Sequence, residues 1–248
     1  MVGRYDYILP PKPRRSSVRY VAFVDRRVPL LQGWEQRPLS DEAKLLPDNL
    51  KNRYHKLFPH LLFPESEWTV YVDSNIRILG ELSELVDQIA TIGADMACAP
   101  HPSRRTLQQE VDACIAQSKA NEADLRLQVE AYYRQGIDPS APISENNVVI
   151  RRTGSGAVVA GMDLWWSELN TRTPRDQISL PYVIDQTGIP FSMLPVHTRE
   201  PNPWYARYDH RKSGIHGLWQ YIRIRRSDRW WWRLAYLAGR FLTSRRGE

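Results

Sequence analysis

The 248-residue chain predicts an α/β fold: a mostly parallel central sheet flanked by helices, then a basic, Trp/Arg-rich C-terminal helical tail. Three observations carry this. Short continuous apolar runs alternate with stretches of helical periodicity. Apolar residues are 42% and charged residues 25%, the balance of a folded domain and not of a disordered chain. The charge is uneven. The net is +6, yet residues 207–248 hold eleven Lys/Arg against three acids, a net +8, which leaves −2 over residues 1–206. The excess points to a local surface for an acidic partner.

Residues 1–17, with Pro10-Pro11-Lys12-Pro13-Arg14-Arg15, read as an extended basic arm without the apolar core of a secretory signal. Residues 18–206 form the main domain and 207–248 the tail. Val18–Val24 (VRYVAFV) is β-branched and aromatic, a buried strand ending at Asp25. Residues 26–46, punctuated by Pro29, Gly33 and Pro38, read as irregular. Asp48 N-caps a short helix to Leu57. Trp68–Val72 (WTVYV) is a second strand, ending at Asp73.

Leu82, Leu85, Val86, Ile89 and Ala90 fall at helical spacing, and Gly93 closes that helix. Asp95–Ala99 is a strand stopped by Pro100 and Pro102. Helices over 103–118 and 122–135 follow, with Gly136 at the C-cap. A strand over 147–151, helices over 157–170 and 175–187, and a strand over 191–194 complete the domain.

Several chemistries are excluded. Cys98 and Cys114 cannot build a disulfide scaffold or a four-cysteine zinc site. No apolar run is long enough to span a bilayer. Neither GxxxxGK[ST] nor GxGxxG is present, and no HExxH, CxxC or GxSxG occurs. In open α/β sheets, ligands sit beyond the carboxyl ends of strands. Asp25 and Asp73 occupy two such ends. Asp73-Ser74-Asn75 sets two oxygen donors two residues apart on a turn, where both can face one hard cation, and oxygen ligands suit magnesium or manganese. The same residues also suit a turn that caps the next helix.

The run Arg53-Tyr54-His55-Lys56-Leu57-Phe58-Pro59-His60, then Phe63-Pro64, then Trp68 to Asp73, resembles a glycosyltransferase-like family. That family includes plant mucilage-related and turgor-regulation proteins and bacterial relatives. Two further blocks agree: His101-Pro102 with Glu110, Gln128, Tyr132 and Gly136, and then Asn146 to Arg151 with Trp165-Trp166, Glu168 and Arg175 to Ser179. The resemblance spans roughly Arg19 to Val196.

It implies a GT-A-like fold, a nucleotide-sugar donor, a glycan or glycolipid acceptor, and Mn²⁺ or Mg²⁺. On that basis Asp73, Asn75 and His197 hold the cation, with His210 the alternative to His197. Asn75, a neutral amide, is a weaker ligand than the acid often used there. Arg53, Lys56 and Asp73 face the donor phosphates, and Asp25 the nucleoside. Asp176 is the base or transition-state stabiliser, with Arg175 and Gln177 beside it. An acid at a helix start also satisfies free backbone N–H groups, which is the structural alternative for Asp176. Trp165, Trp166 and Glu168 face the acceptor. Adjacent helical residues point about 100° apart, so one tryptophan lines the site and the other is core.

Two other functions fit less of the pattern. One is a metal-dependent hydrolase of a lipid-linked substrate. The other is an inactive sugar- or polyanion-binding module. In the tail, Trp230, Trp231, Leu234, Leu237, Ala238 and Phe241 follow helical spacing, with Arg229, Arg233 and Arg240 beside them. Such a helix suits an anionic membrane surface or docks on the body with solvated arginines. No nucleic-acid motif is present. The expected location is cytoplasmic, peripheral at the inner face of the membrane.

Overall fold

A computed structural model describes residues 6–13, 16–28 and 32–244, with side chains given up to Leu237. Arg14, Arg15, Pro29, Arg245 and Arg246, and the side chains of Ala238, Arg240 and Phe241, lie outside the described set.

The chain opens with β1 (Val21–Val24) and β2 (Glu35–Pro38), which pair in parallel as a separate two-stranded sheet. Next come α1 (Asp41–Lys44), α2 (Asp48–Leu57) and α3 (Pro59–Leu62). β3 (Trp68–Val72), β4 (Ile76–Ile78), α4 (Leu82–Thr91) and β5 (Met96–Pro100) follow. Two helices, α5 (Leu107–Ala116) and α6 (Glu122–Arg134), lead to β6 (Ser144–Arg152). α7 (Gly156–Thr171) and α8 (Asp176–Thr187) lead to β7 (Phe191–Met193). Last come β8 (Tyr205–Arg207), α9 (Gly214–Arg225) and α10 (Trp230–Ser244).

The central sheet has the order β3-β6-β5-β7. Its orientation is mixed, which corrects the mostly parallel expectation. β6 runs antiparallel to β3 and β5, and only β5 and β7 pair in parallel. The reason is parity. Two helices separate β5 from β6 and two separate β6 from β7, so each excursion returns the chain to the end it left. One long helix, α4, separates β3 from β5, and those strands point the same way. An apolar run reads alike in either direction, so alternation of elements could not show this.

Burial follows from strand alternation. Cys98 and Val149 face α2, α7 and α8, among Leu57, Met162, Trp165 and Val183. Ala97, Val148 and Ile150 face Ile76, Leu85 and Ile89. A third cluster joins α5 and α6 to Ile178 of α8. Gly188 closes α8 at φ 62°, a left-handed position that favours glycine.

Contacts cross both boundaries expected from sequence. A cut after residue 206 falls inside β8, whose Ala206 and Arg207 pair with Arg77 and Ile76. The N-terminal arm is also docked: Asp6 and Leu9 are buried, and Lys12 N donates to Ile78 O at 3.0 Å.

Candidate functional site

Because β6 runs against its neighbours, its first residues lie at the carboxyl ends of β3, β5 and β7. Asp73 N donates to Asn147 O (2.9 Å), His101 N to Ile143 O (3.3 Å) and Leu194 N to Cys98 O (2.9 Å). The register between β5 and β6 slips at this end: Cys98 faces Val149 but Ala99 faces Glu145. The surplus residues, Asn146 to Val148, form a bulge beside Asp73. Bulges re-aim side chains in this manner near functional sites.

Tyr71 and Asp73 share one face of β3, since side chains two apart on a strand do so. α2 lays Lys56 over that face, and the N-terminus of α8 supplies Asp176. Lys56 Nζ sits 2.6 Å from Asp176 Oδ2, 5.3 Å from the Tyr71 ring centroid and 5.6 Å from that of Trp165. Tyr71 donates to Asp73 Oδ1 at 2.7 Å. Trp165 fixes the start of α8 by donating Nε1–H to Asp176 O (3.2 Å) and Ser179 Oγ (3.1 Å).

The two carboxyls are pushed apart. Burial raises Asp73 above its ordinary value; Lys56 and the Tyr71 hydrogen bond oppose this, while nearby Asp176 and Asp6 add to it. Burial acts on Asp176 too, but Lys56, Arg53 and Arg175 together outweigh it and hold that carboxyl below its ordinary value. Acids separated in this way take different roles in acid–base chemistry.

Around the pair lies a polar shell. Arg175 contacts Glu110 (3.3 Å) and Gln177 (3.3 Å). Glu110 is fully buried and also pairs with Arg104. Gln177 donates to Ser144 O at 3.1 Å, which pins α8 to the start of β6. Arg53 reaches Pro174 O at 2.9 Å, tying α2 to the approach to α8. Arg151 is buried and donates to Lys56 O, and burial lowers its pKa to about 10.

The bulge holds unsatisfied amides. Thr198 donates to Glu145 Oε2 (2.7 Å), which can only accept, so Thr198 Oγ1 must take its bond from Asn147 Nδ2 (3.0 Å). That fixes the amide and leaves Asn147 Oδ1 unpartnered; Asn146 Nδ2 is unpartnered as well. A buried unpaired polar atom costs about 1–3 kcal/mol, so two together call for an explanation.

The expected site residues separate into groups. Lys56, Asp73 and Asp176 come together, with Arg53, Arg175 and Gln177 in the surrounding shell. Asp25 is exposed at the end of β1, in the separate two-stranded sheet. Trp165 and Glu168 are in the interior and present no open face. Trp165 is fully buried, and Glu168 accepts from Tyr132 in a buried network that continues through Gln128 to Thr173. Trp166 is half-buried against Tyr54 and Phe58.

Asn75 is buried in the turn after β3, and its carbonyl accepts from Tyr208 N at 2.8 Å. His197 faces Glu200 (3.4 Å) and accepts from Arg199 N (3.2 Å). His210 meets Asp6 at 3.0 Å. Among the described residues, no group of three or more His, Cys, Asp and Glu side chains is placed to hold a metal ion. Asp73, Asn75 and His197 are each held by protein partners: Asp73 by the Tyr71 hydroxyl, Asn75 through its carbonyl by Tyr208 N, and His197 by Glu200 and Arg199 N.

Sequence reasoning passed over Asp6, Tyr71 and the roles of Asn146 and Asn147. Asp6 accepts from Ser74 Oγ (2.9 Å) and Arg211 N (3.1 Å), and so clamps the turn next to Asp73 to the start of the tail. Nothing local marks Asp6. Tyr71 was legible as the residue two before a strand-end acid, and the doubled asparagine as a polar pair at the head of an apolar strand.

Two curated proteins of Arabidopsis thaliana are similar to the chain. "Alkaline ceramidase TOD1" is 26% identical over 140 residues, covering 52% of this chain and 30% of that protein. "Probable hexosyltransferase MUCI70" is 24% identical over 140 residues, covering 53% of this chain and 24% of that protein. The chain thus matches less than a third of either relative's length. A family model, the TOD1/MUCI70 glycosyltransferase-like domain, matches residues 46–201. That span runs from α2 to the strand-end residues beyond β7 and takes in Lys56, Asp73, the β6 bulge and Asp176, so the chain belongs to the TOD1/MUCI70 glycosyltransferase-like domain family.

Proposed function

We propose that the chain is a GT-A-like glycosyltransferase that moves a hexose from a nucleotide-sugar donor to a hydroxyl of a glycan or glycolipid acceptor. The observation that carries the reading is the Lys56–Asp176 pair beside Asp73, with its oppositely shifted carboxyls. Asp176, held ionised, is a fixed anion for the positive charge that grows on the sugar as the donor bond breaks. Asp73, with its raised pKa, is the better base and takes the acceptor hydroxyl proton. The acceptor oxygen bonds to the anomeric carbon, and the bonding pair leaves with the diphosphate. Arg53 and Arg175, both facing Asp176, supply positive charge toward the leaving group. Asn147 Oδ1 and Asn146 Nδ2 are an acceptor and a donor suited to sugar hydroxyls. No step is routed through a metal.

A second reading is a hydrolase of a lipid-linked substrate, favoured by the name of one relative. Asp73 would then activate water. A panel of nucleotide sugars separates the two, read by thermal shift and by transfer to glycan and lipid acceptors, with and without Mn²⁺. A transferase is stabilised by one nucleoside diphosphate series. Asp176→Asn should lower transfer by about 100-fold or more while leaving the protein folded. Ceramide cleavage without any nucleotide-dependent shift would establish the hydrolase instead. Sugar binding without turnover would mark an inactive module.

A further inference from the structure

The tail helices turn the wrong residues inward for a helix pair that only docks. Asp228, 9% exposed at its side chain, lies between two guanidiniums: Arg77 Nη2 at 2.6 Å and Arg225 Nε at 3.0 Å. Both arginines are themselves buried. Arg225 also donates to Tyr221 OH and lies over the Trp232 ring at 5.0 Å. The ions are inside. Outside, Trp230 is 70% exposed, Leu234 53% and Leu237 50%. These three are spaced i, i+4, i+7 and so share one face of α10. Folding alone would bury such a face.

Exposed Arg226, Arg229 and Arg233 flank that face. Arg229 lies over Trp231 at 4.8 Å and Arg226 over Tyr236 at 5.2 Å. From Arg211 to Leu237 there are seven Lys/Arg and one acid, and that acid, Asp228, is already paired with Arg77 and Arg225. Among the described residues no helix is long and apolar enough to cross a membrane.

We propose that the outer face of α10 is a docking surface for an anionic lipid bilayer. Trp230, Leu234 and Leu237 enter the headgroup–acyl boundary, and the flanking arginines reach lipid phosphates. A second copy of the chain is a poorer occupant, because a two-fold contact would set arginine against arginine. A nucleic acid would satisfy the arginines but leave Leu234 and Leu237 without apolar cover. The docked helix is tied to the site: Gln220 of α9 bonds the carbonyls of Asp209 and His210, and Asp6 joins His210 to Ser74. Docking therefore holds the turn beside Asp73 close to the bilayer, whichever reaction the site performs.

Vesicle co-sedimentation of the full chain tests this. Vesicles of phosphatidylcholine alone are compared with vesicles that also contain phosphatidylglycerol. The chain should bind the anionic vesicles about tenfold or more tightly, and added salt should weaken the binding. Trp230→Ala with Leu234→Ala and Leu237→Ala should lose about tenfold or more, as should Arg229→Glu with Arg233→Glu. All five residues are exposed, so thermal midpoints should hold; if the first variant fails to fold, the second carries the test. Equal partitioning onto neutral and anionic vesicles, or none, would overturn the proposal. So would a dimer by light scattering that the first variant converts to monomer. Tighter binding to single-stranded RNA than to anionic vesicles would overturn it as well.

Discussion

Lys56→Met isolates the interaction on which the site rests. Methionine keeps the length and apolar stem but removes the charge 2.6 Å from Asp176 Oδ2. Lys56 is 5% exposed at its side chain and Asp176 21%, so solvent screens the pair weakly. Removing one member of a buried pair costs about 3–5 kcal/mol. Arg53 and Arg175 still face Asp176, so the expected loss lies at the lower end, about 3 kcal/mol at pH 7.

The pH dependence has a definite sign. The folded pKa of Asp176 is depressed, so its contribution is present above the unfolded value and is lost as pH falls through the folded one. The gap between wild type and Lys56→Met should be widest at neutral pH and close toward the acid end, where Asp176 is neutral. Chemical denaturation of wild type, Lys56→Met, Asp176→Asn and the double variant gives the coupling directly. A coupling below about 0.5 kcal/mol at pH 7 would refute the argument that these side chains hold one another in place.

Three further outcomes follow from the same geometry. Trp165→Phe keeps an aromatic ring but removes the bonds to Asp176 O and Ser179 Oγ and leaves a small cavity at a fully buried position; denaturation should show a loss of about 2 kcal/mol or more, with a fall in kcat and little change in KM. Glu110→Gln strips the countercharge from Arg104 and Arg175 at a fully buried position and should cost about 3 kcal/mol by denaturant titration, more than an exposed pair such as Arg126–Glu122. His101 is lowered to about 4 by burial first and by Arg104 second, and its Nδ1 accepts from the N–H groups of Ser103 and Arg104. Between that value and the ordinary 6.5 the unfolded chain binds more protons, so stability should rise with pH across this window. His101→Gln should flatten that limb by about 3 kcal/mol, as followed by thermal midpoints from pH 4 to pH 7.

The pair at the centre of these predictions was half legible. α2 reads as a helix from Asp48, and Asp176 stands out as the first acid of α8. That Lys56 and Asp176 meet across 120 residues is a product of packing. The same holds for Trp165: helical spacing puts it on α7, but only the docking of α8 decides that its indole is core while Trp166 stays half-buried. The Asp25 and Glu168 assignments rested on local signals. A strand-end aspartate is placed by the sheet its strand joins, and β1 joins a separate one. A helix glutamate is spent where a tyrosine hydroxyl reaches it, as Tyr132 reaches Glu168.

What the sequence determined by itself was whatever depends on neighbours along the chain. The spans of β3 and α2, the charge division at the tail and the family blocks are all of that kind. They rest on periodicity and composition, which act over a few residues; the expected Asp48 cap does not form, since Pro47 is the N-cap of α2 and makes no side-chain cap bond. Tertiary structure decided strand direction, since the number of helical passes between strands sets it and an apolar run carries no arrow. It also decided which carboxyl is held ionised, because burial and the surrounding cations come from α2, β3 and α8 together. And it decided that the tail buries its ion pair and turns its tryptophans outward, a choice fixed by Arg77 on a strand 151 residues away from Asp228.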